Sequence, residues 1–187
     1  MAIEIIISLA IILILVIWGL IVYNKFVKMK VLMDEGWSIM DVFLPKRYDL
    51  IGNLVESVKG YATHEQETLE SVIRARSQAM NAKDMESRLE SEGNLGNALG
   101  RLMVVTENYP ALRANENFMF LQQEMSQLEN EIEKARRYYN GTVRENNIAI
   151  KVFPASFIAG MFRFTEGKFF EASDKKHRES PQVSFSK

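Results

Sequence analysis

Apolar positions along this chain follow two different rules. From Ile5 to Val22 the sequence reads IIISLAIILILVIWGLIV, apolar almost throughout and without a charged side chain. After that run, apolar residues return at intervals of three and four, which is the period of an α-helix with one buried face. The most regular stretch passes through Phe118, Leu121, Met125, Leu128, Ile132, Ala135, Tyr139, Thr142, Asn146 and Ala149. This is a heptad seam that weakens toward its C-terminal end. Glu124, Glu129, Glu131, Glu133, Lys134, Arg136 and Arg137 lie between its positions and form a charged outer face. Two readings fit the seam: a helix packed within its own bundle, or a coiled coil with another chain. The first is favoured, because the remaining helices supply partners within the chain.

A second seam runs through Tyr48, Ile51, Val55, Val58, Ala62, Leu69, Val72 and Ala79. A third uses Leu95, Leu99, Leu102, Val105, Tyr109 and Leu112, with Gly93, Gly96 and Gly100 weakening its start. Met33, Trp37, Met40 and Leu44 continue the phase of the helix that leaves the apolar run. Pro110 closes one helix, and Asn115 or Asn117 caps the next. No stretch alternates with period two over a useful length, so no sheet is expected.

The apolar run is long enough to cross a hydrocarbon core of about 30 Å at about 1.5 Å per residue. Trp18 and Tyr23 stand toward its far end, where amphipathic rings favour the headgroup level. A cleaved signal peptide is the competing reading. Only Glu4 supplies charge before the run, and Tyr23, Asn24, Lys25 and Phe26 follow it without a small-residue cleavage pattern, so an anchor is favoured. Lys25, Lys28 and Lys30 follow the span, and the positive-inside rule puts the C-terminal domain in the cytoplasm and the N-terminus outside.

Where the second helix begins has two answers. Either Pro45 opens it, or Pro45 is only a kink and the break falls near Gly60. An unbroken helix from Pro45 to Asn81, antiparallel to its predecessor, would carry Glu70, Arg74 and Arg76 to membrane depth. Charges there are costly, which favours the later break.

The chain has 187 residues, a formal net charge of −1 and no cysteine. Disulfides, thiolate metal sites and thiol catalysis are therefore excluded. The charge balance gives no reason to expect nucleic acid as a partner. The residues after the anchor suit one domain. Over half of its 11 phenylalanines fall in Phe153–Ala172, at Phe153, Phe157, Phe162, Phe164, Phe169 and Phe170. Either these rings lie in the bilayer interface or they plug the membrane-proximal end of the bundle.

Candidate chemistry is sparse. His64-Glu65 begins an HExxH pattern, but Thr68 stands where the second histidine is needed. Neither His64 nor His177 has a glutamate three residues before it, as a bundle di-iron site requires; Tyr61 and Asp174 hold those places. The glycines at 93, 96 and 100 lack the strand and lysine of a phosphate loop. No catalytic, cofactor-binding or metal residues are assigned, and no cofactor or small-molecule substrate is expected. The polar set Lys46, Arg47, Tyr48, Asp49, Asn53, Glu56 and Lys59 is either a solvated salt-bridge face or a contact surface for a partner.

Asp34–Glu65 (DEGWSIMDVFLPKRYDLIGNLVESVKGYATHE), Ala75–Met80 (ARSQAM), Leu99–Pro154 and Phe169–Ala172 (FFEA) together resemble the LemA family. The specific elements are RYDLI-x-NLVE, YP-x-L-x-ANENF and YN-x-x-VRE-x-N-x-AI. This chain departs from the family in having Gly52 where proline is usual, and in having Pro45. The resemblance implies a bacterial, single-pass, membrane-attached four-helix bundle without an assigned enzymatic activity. Some relatives are associated with shaping internal membranes, and the family offers no catalytic residue to carry over.

The expectation is thus an all-α chain: an N-terminal transmembrane helix continuing into an antiparallel up-and-down four-helix bundle. Its parts would be an anchor at 1–24, the bundle at 25–152, a Phe-rich membrane-proximal segment at 153–172 and a disordered polar tail at 173–187. Its partners would be membrane lipid and further copies of itself in the bacterial inner membrane, with a protein partner as the alternative. Trp18, Tyr23 and the six phenylalanines are the candidate membrane contacts.

Overall fold

A computed structural model describes residues 1–170; the expected polar tail lies outside them. The described residues form six helices and no strand: α1 (Ala2–Lys59), α2 (Gln66–Asn81), α3 (Met85–Thr106), α4 (Pro110–Arg113), α5 (Glu116–Lys151) and α6 (Ala155–Met161). The fold is all-α. The chain divides into two compact units, one built from Met1–Asp41 and Glu133–Phe169, the other from Val42–Ile132 with Phe170.

Helix α1 is continuous from the apolar run to Lys59, with Pro45 inside it. Proline removes one backbone donor, yet the helix persists because the surrounding turns are held by their packing. The break falls at residues 60–65, the later of the two positions, where Tyr61 and Ala62 N–H groups both turn back to the Val58 carbonyl.

The second unit has one core. It takes Leu44, Ile51, Leu54, Val55 and Val58 from α1, Leu69, Val72, Ala75 and Ala79 from α2, and Leu95, Leu99 and Leu102 from α3. Leu112 of α4 joins it, as do Phe118, Met125, Leu128 and Ile132 of α5. The first half of the heptad seam therefore packs within the chain.

Local signals explain the helix ends and correct three expectations. Asp84 and Ser87 form a reciprocal capping box, so α3 starts at Met85 and carries all three glycines in its interior. Pro110 does not close a helix; it is the first residue of α4, where its missing N–H costs nothing. The third seam places Thr106 inside, 2 % exposed, where Val105 was expected, because α3 ends there and the chain turns. Of the two asparagines, Asn115 caps α5, its Oδ1 accepting from the Phe118 N–H at 3.0 Å.

In the first unit the seam slips by one position. Val143 is fully buried, whereas Thr142 turns its hydroxyl onto the Tyr139 carbonyl at 2.7 Å. A helix at 3.6 residues per turn drifts against a strict heptad, so a straight α5 brings Val143 rather than Thr142 to the inner face. Tyr139 and Asn146 stay buried. Gly36 lets α5 come close: an added Cβ would lie 3.1 Å from Tyr139 Cα. Trp37 packs edge-on against the Tyr139 ring at 5.9 Å.

Candidate membrane-facing site

Residues 2–17 of α1 are left exposed by the other described residues; Ile5, Leu9, Ile12, Leu15 and Ile17 are all about half exposed or more. Exposed apolar surface on this scale marks an interaction site. The helix is long and apolar enough to cross a membrane.

The face near its end is covered. Phe26 is 1 % exposed at the centre of a small cluster with Ile158 and Ala159 of α6, and Trp18, Val22 and Tyr23 pack against them. Both candidate anchoring rings, Trp18 and Tyr23, are thus half-buried on the protein. Ile158 of α6 lies against Gly19: a Cβ there would meet Ile158 Cδ1 at 3.8 Å, an ordinary contact distance.

Helix α6 ends in a six-residue loop of hydrogen bonds. The Phe164 N–H reaches the Ala159 carbonyl at 2.9 Å and the Arg163 N–H reaches Gly160 at 3.3 Å, with Arg163 in the left-handed region at φ 57. This is a Schellman stop with arginine at the position that favours glycine. The chain then runs down the first unit as a strap. Phe162 meets Tyr23 edge-on at 4.8 Å, and Phe164 stacks on Phe26 at 4.9 Å. Asn147 grips Gly167 twice, accepting from its N–H at 2.8 Å and donating to its carbonyl at 2.9 Å. Asn146 donates to the Thr165 carbonyl at 3.2 Å, and Tyr139 donates to the Lys168 carbonyl at 2.9 Å. Asn146 is thus buried because it holds the strap, a role its place in the heptad did not suggest. Burial raises the pKa of the Tyr139 hydroxyl, with Asp34 adding to the shift.

The six phenylalanines therefore separate. Phe164 and Phe170 are covered by protein, while Phe153, Phe157, Phe162 and Phe169 are exposed. Ile158, Met161 and Gly19 belong to the same surface and were missed from sequence. Two signals could have found them: the uncharged stretch between Lys151 and Arg163, and the lone glycine in an otherwise bulky span.

The polar set on α1 also separates. Lys46, Asp49, Asn53, Glu56 and Lys59 are exposed and share one stripe. Arg47 and Tyr48 are 7 % and 6 % exposed and lie on the inner side, so they are not part of that surface. Both bind the buried carboxylate of Glu92, the guanidinium and the phenol each donating to it. Arg47 Nε also faces Glu129 Oε1 at 2.7 Å, as an ion pair without the alignment of a hydrogen bond. Burial and the Glu92 carboxylate push the Tyr48 pKa far above the usual tyrosine value. Arg76 donates to the Tyr48 carbonyl at 2.6 Å. This network joins α1, α2, α3 and α5. Among the described residues, no group of three or more metal-ligating side chains is gathered.

The chain is 26 % identical over 175 residues to Magnetosome protein MamQ 2 of Paramagnetospirillum magneticum, covering 80 % of this chain and 64 % of that protein. It is 24 % identical to Magnetosome protein MamQ of Magnetospirillum gryphiswaldense, over 79 % of this chain and 64 % of that one. It is 27 % identical to Protein LemA of Metamycoplasma hominis, over 73 % and 63 %. The chain thus spans somewhat under two thirds of the length of the curated relatives it matches. The pattern that defines the LemA family matches residues 36–185, and with the all-α fold and the apolar N-terminal helix it establishes that the chain belongs to the LemA family.

Proposed function

We propose that the protein is a non-enzymatic scaffold, anchored in the bacterial inner membrane by a single pass, that self-associates and organises or remodels the bilayer. The observation that carries this reading is the unpartnered apolar surface of α1 over residues 2–17, joined to the exposed rings of the α6 region. The relatives named as magnetosome proteins support a role at a membrane. The helices that share the core of the second unit are read as an up-and-down bundle, placed in the cytoplasm by Lys25, Lys28 and Lys30, with the N-terminus outside. Since α5 spends much of its seam inside the chain, contacts between copies would use the span and outer faces rather than that seam. The test is light scattering of the full-length protein in mild detergent, followed by electron cryomicroscopy of liposomes bearing it. Oligomers and altered vesicle curvature are expected. A monomer that leaves vesicle shape unchanged would overturn the proposal.

A membrane-tethered adaptor is the second reading. It is favoured by the exposed stripe Lys46, Asp49, Asn53, Glu56 and Lys59, which is charged, continuous and free of apolar anchors. Crosslinking in cells from residues on this stripe should capture a different protein; capture of only further copies of this chain would reject the adaptor.

A further inference from the structure

We propose that the turn carrying α6, Val152–Phe162, is a re-entrant wedge that enters one leaflet of the bilayer beside the anchor helix. The inference rests on the anchored reading above and specifies how the Phe-rich segment meets lipid.

Position along α1 carries the first part. Ile158 sits against Gly19, within the last turn of the apolar run. Together α1 and α6 shape an apolar groove of about 500 Å³, lined by Ile12, Leu15, Val16 and Gly19 on one side and Met161 and Phe162 on the other. Ile12 precedes Val22 by ten residues, or about 15 Å of helix, which is half of a hydrocarbon core of about 30 Å. The groove thus ends near the bilayer midplane if the span is inserted as its sequence requires.

Composition carries the second part. Val152–Phe162 reads VFPASFIAGMF, with no charge and with Ser156 as its only hydroxyl. A stretch in the roughly 10–14 residue range is too short to cross a membrane but suits a re-entrant segment. Phe153 is 83 % exposed, Phe157 66 % and Met161 59 %, so this surface is left uncovered by the described residues. Acyl chains are the occupant that matches it, because the groove continues the surface of the span without interruption.

Charge marks the depth. Arg163 lies between Phe162, packed on Tyr23, and Phe164, stacked on Phe26, the turn of α1 that bears Lys25. At the other end of the wedge Lys151 is held by Glu166 at 2.9 Å. Lys25, Lys151 and Arg163 therefore bracket the uncharged turn on the side away from the bilayer centre, where long cationic side chains reach headgroups. At its C-terminal end the Schellman stop closes the Ala159 and Gly160 carbonyls of α6 internally, as hydrocarbon demands. An element filling one leaflet only would widen that leaflet against the other, which gives the scaffold a direct means of bending the membrane.

The chain has no cysteine, so single-cysteine labels report single sites. Phe157→Cys, Met161→Cys, Leu15→Cys and Phe120→Cys would each be labelled with a small fluorophore in the full-length protein. The proteins would be reconstituted in phosphatidylcholine–phosphatidylglycerol vesicles and exposed to nitroxides fixed midway along the acyl chains, or to aqueous iodide. The labels at 157, 161 and 15 should be quenched by the acyl nitroxides about twofold or more above the label at 120, and shielded from iodide. Labels at 157 and 161 that respond to iodide, while the label at 15 responds to acyl nitroxide, would overturn the wedge and leave the anchor standing. Labels at 157 and 161 protected from both quenchers would mean that protein, such as a second copy, covers the groove, and would also overturn it. Failure of the label at 15 to sense acyl nitroxide would reject the anchored reading and the wedge together.

Discussion

Arg47 of α1 and Glu92 of α3 are both buried, and the guanidinium donates directly to the carboxylate. Neither charge has water to solvate it, so each depends on the other. Removing one partner of such a pair leaves an uncompensated buried charge and costs about 3–5 kcal/mol. Arg47→Ala should lower stability by that amount in denaturant unfolding of the full-length chain in detergent. Replacing both, as Arg47→Met with Glu92→Leu, should recover most of the loss. A double-variant loss equal to the sum of the Arg47→Met and Glu92→Leu losses would show that the pair is not coupled.

Tyr48 gives the same network a pH dependence. Its pKa is raised from the ordinary 10.0 by burial first and by Glu92 next. A raised folded pKa contributes stability that is fully present below pH 10 and is lost as the pH climbs toward the folded value. Stability should therefore fall above about pH 10, because the unfolded phenol ionises where the folded one resists. Tyr48→Phe should flatten this alkaline slope, and one tyrosine fewer should titrate late in ultraviolet absorbance.

Close approach of α1 and α5 requires Gly36. A Cβ there would stand 3.1 Å from Tyr139 Cα and 3.2 Å from Tyr138 Cδ1. Gly36→Leu should cost about 1–3 kcal/mol by overpacking. Gly96 has open space around its Cα inside α3, so Gly96→Ala should instead raise stability by about 0.5–1 kcal/mol. Thermal unfolding of the two variants should move in opposite directions.

The strap hangs on Asn147. Asn147→Ala removes both of its bonds to Gly167 and should cost about 1–3 kcal/mol locally. Amide exchange at residues 163–169 should rise, with the core amides of α2 and α3 unchanged. Faster exchange throughout would show instead that the strap supports the whole fold.

Arg163 holds a left-handed conformation that costs a non-glycine residue about 1–2 kcal/mol. Arg163→Gly should slow amide exchange in α6 and, under the wedge proposed above, weaken binding of α6 to anionic vesicles by removing a cation from the headgroup level. Arg163→Lys should keep the vesicle binding. Equal vesicle binding by the glycine and lysine variants would show that the cation plays no part.

By itself the sequence determined the elements whose signal is local. A charge-free run from Ile5 to Val22 states a membrane-competent helix wherever it folds. Seams at three-four spacing located the core of α1, α2 and α5, since Tyr48, Ile51, Val55, Val58, Val72, Met125 and Ile132 are all buried as the period requires. The cost of charge at membrane depth located the turn at Gly60 rather than Pro45. Tertiary structure decided whatever depends on a partner distant in the chain. Arg47, which lies off the seam, belongs to the interior only because Glu92 meets it from α3, some 45 residues away. The seam of α5 passes through Val143 because a straight helix drifts against a heptad. Asn146 and Asn147 gained their roles from a strap about 20 residues later. Gly36 became a point of close approach only when α5 packed against it, 3.1 Å from an added Cβ to Tyr139 Cα, for a missing side chain has meaning only where another chain segment comes near.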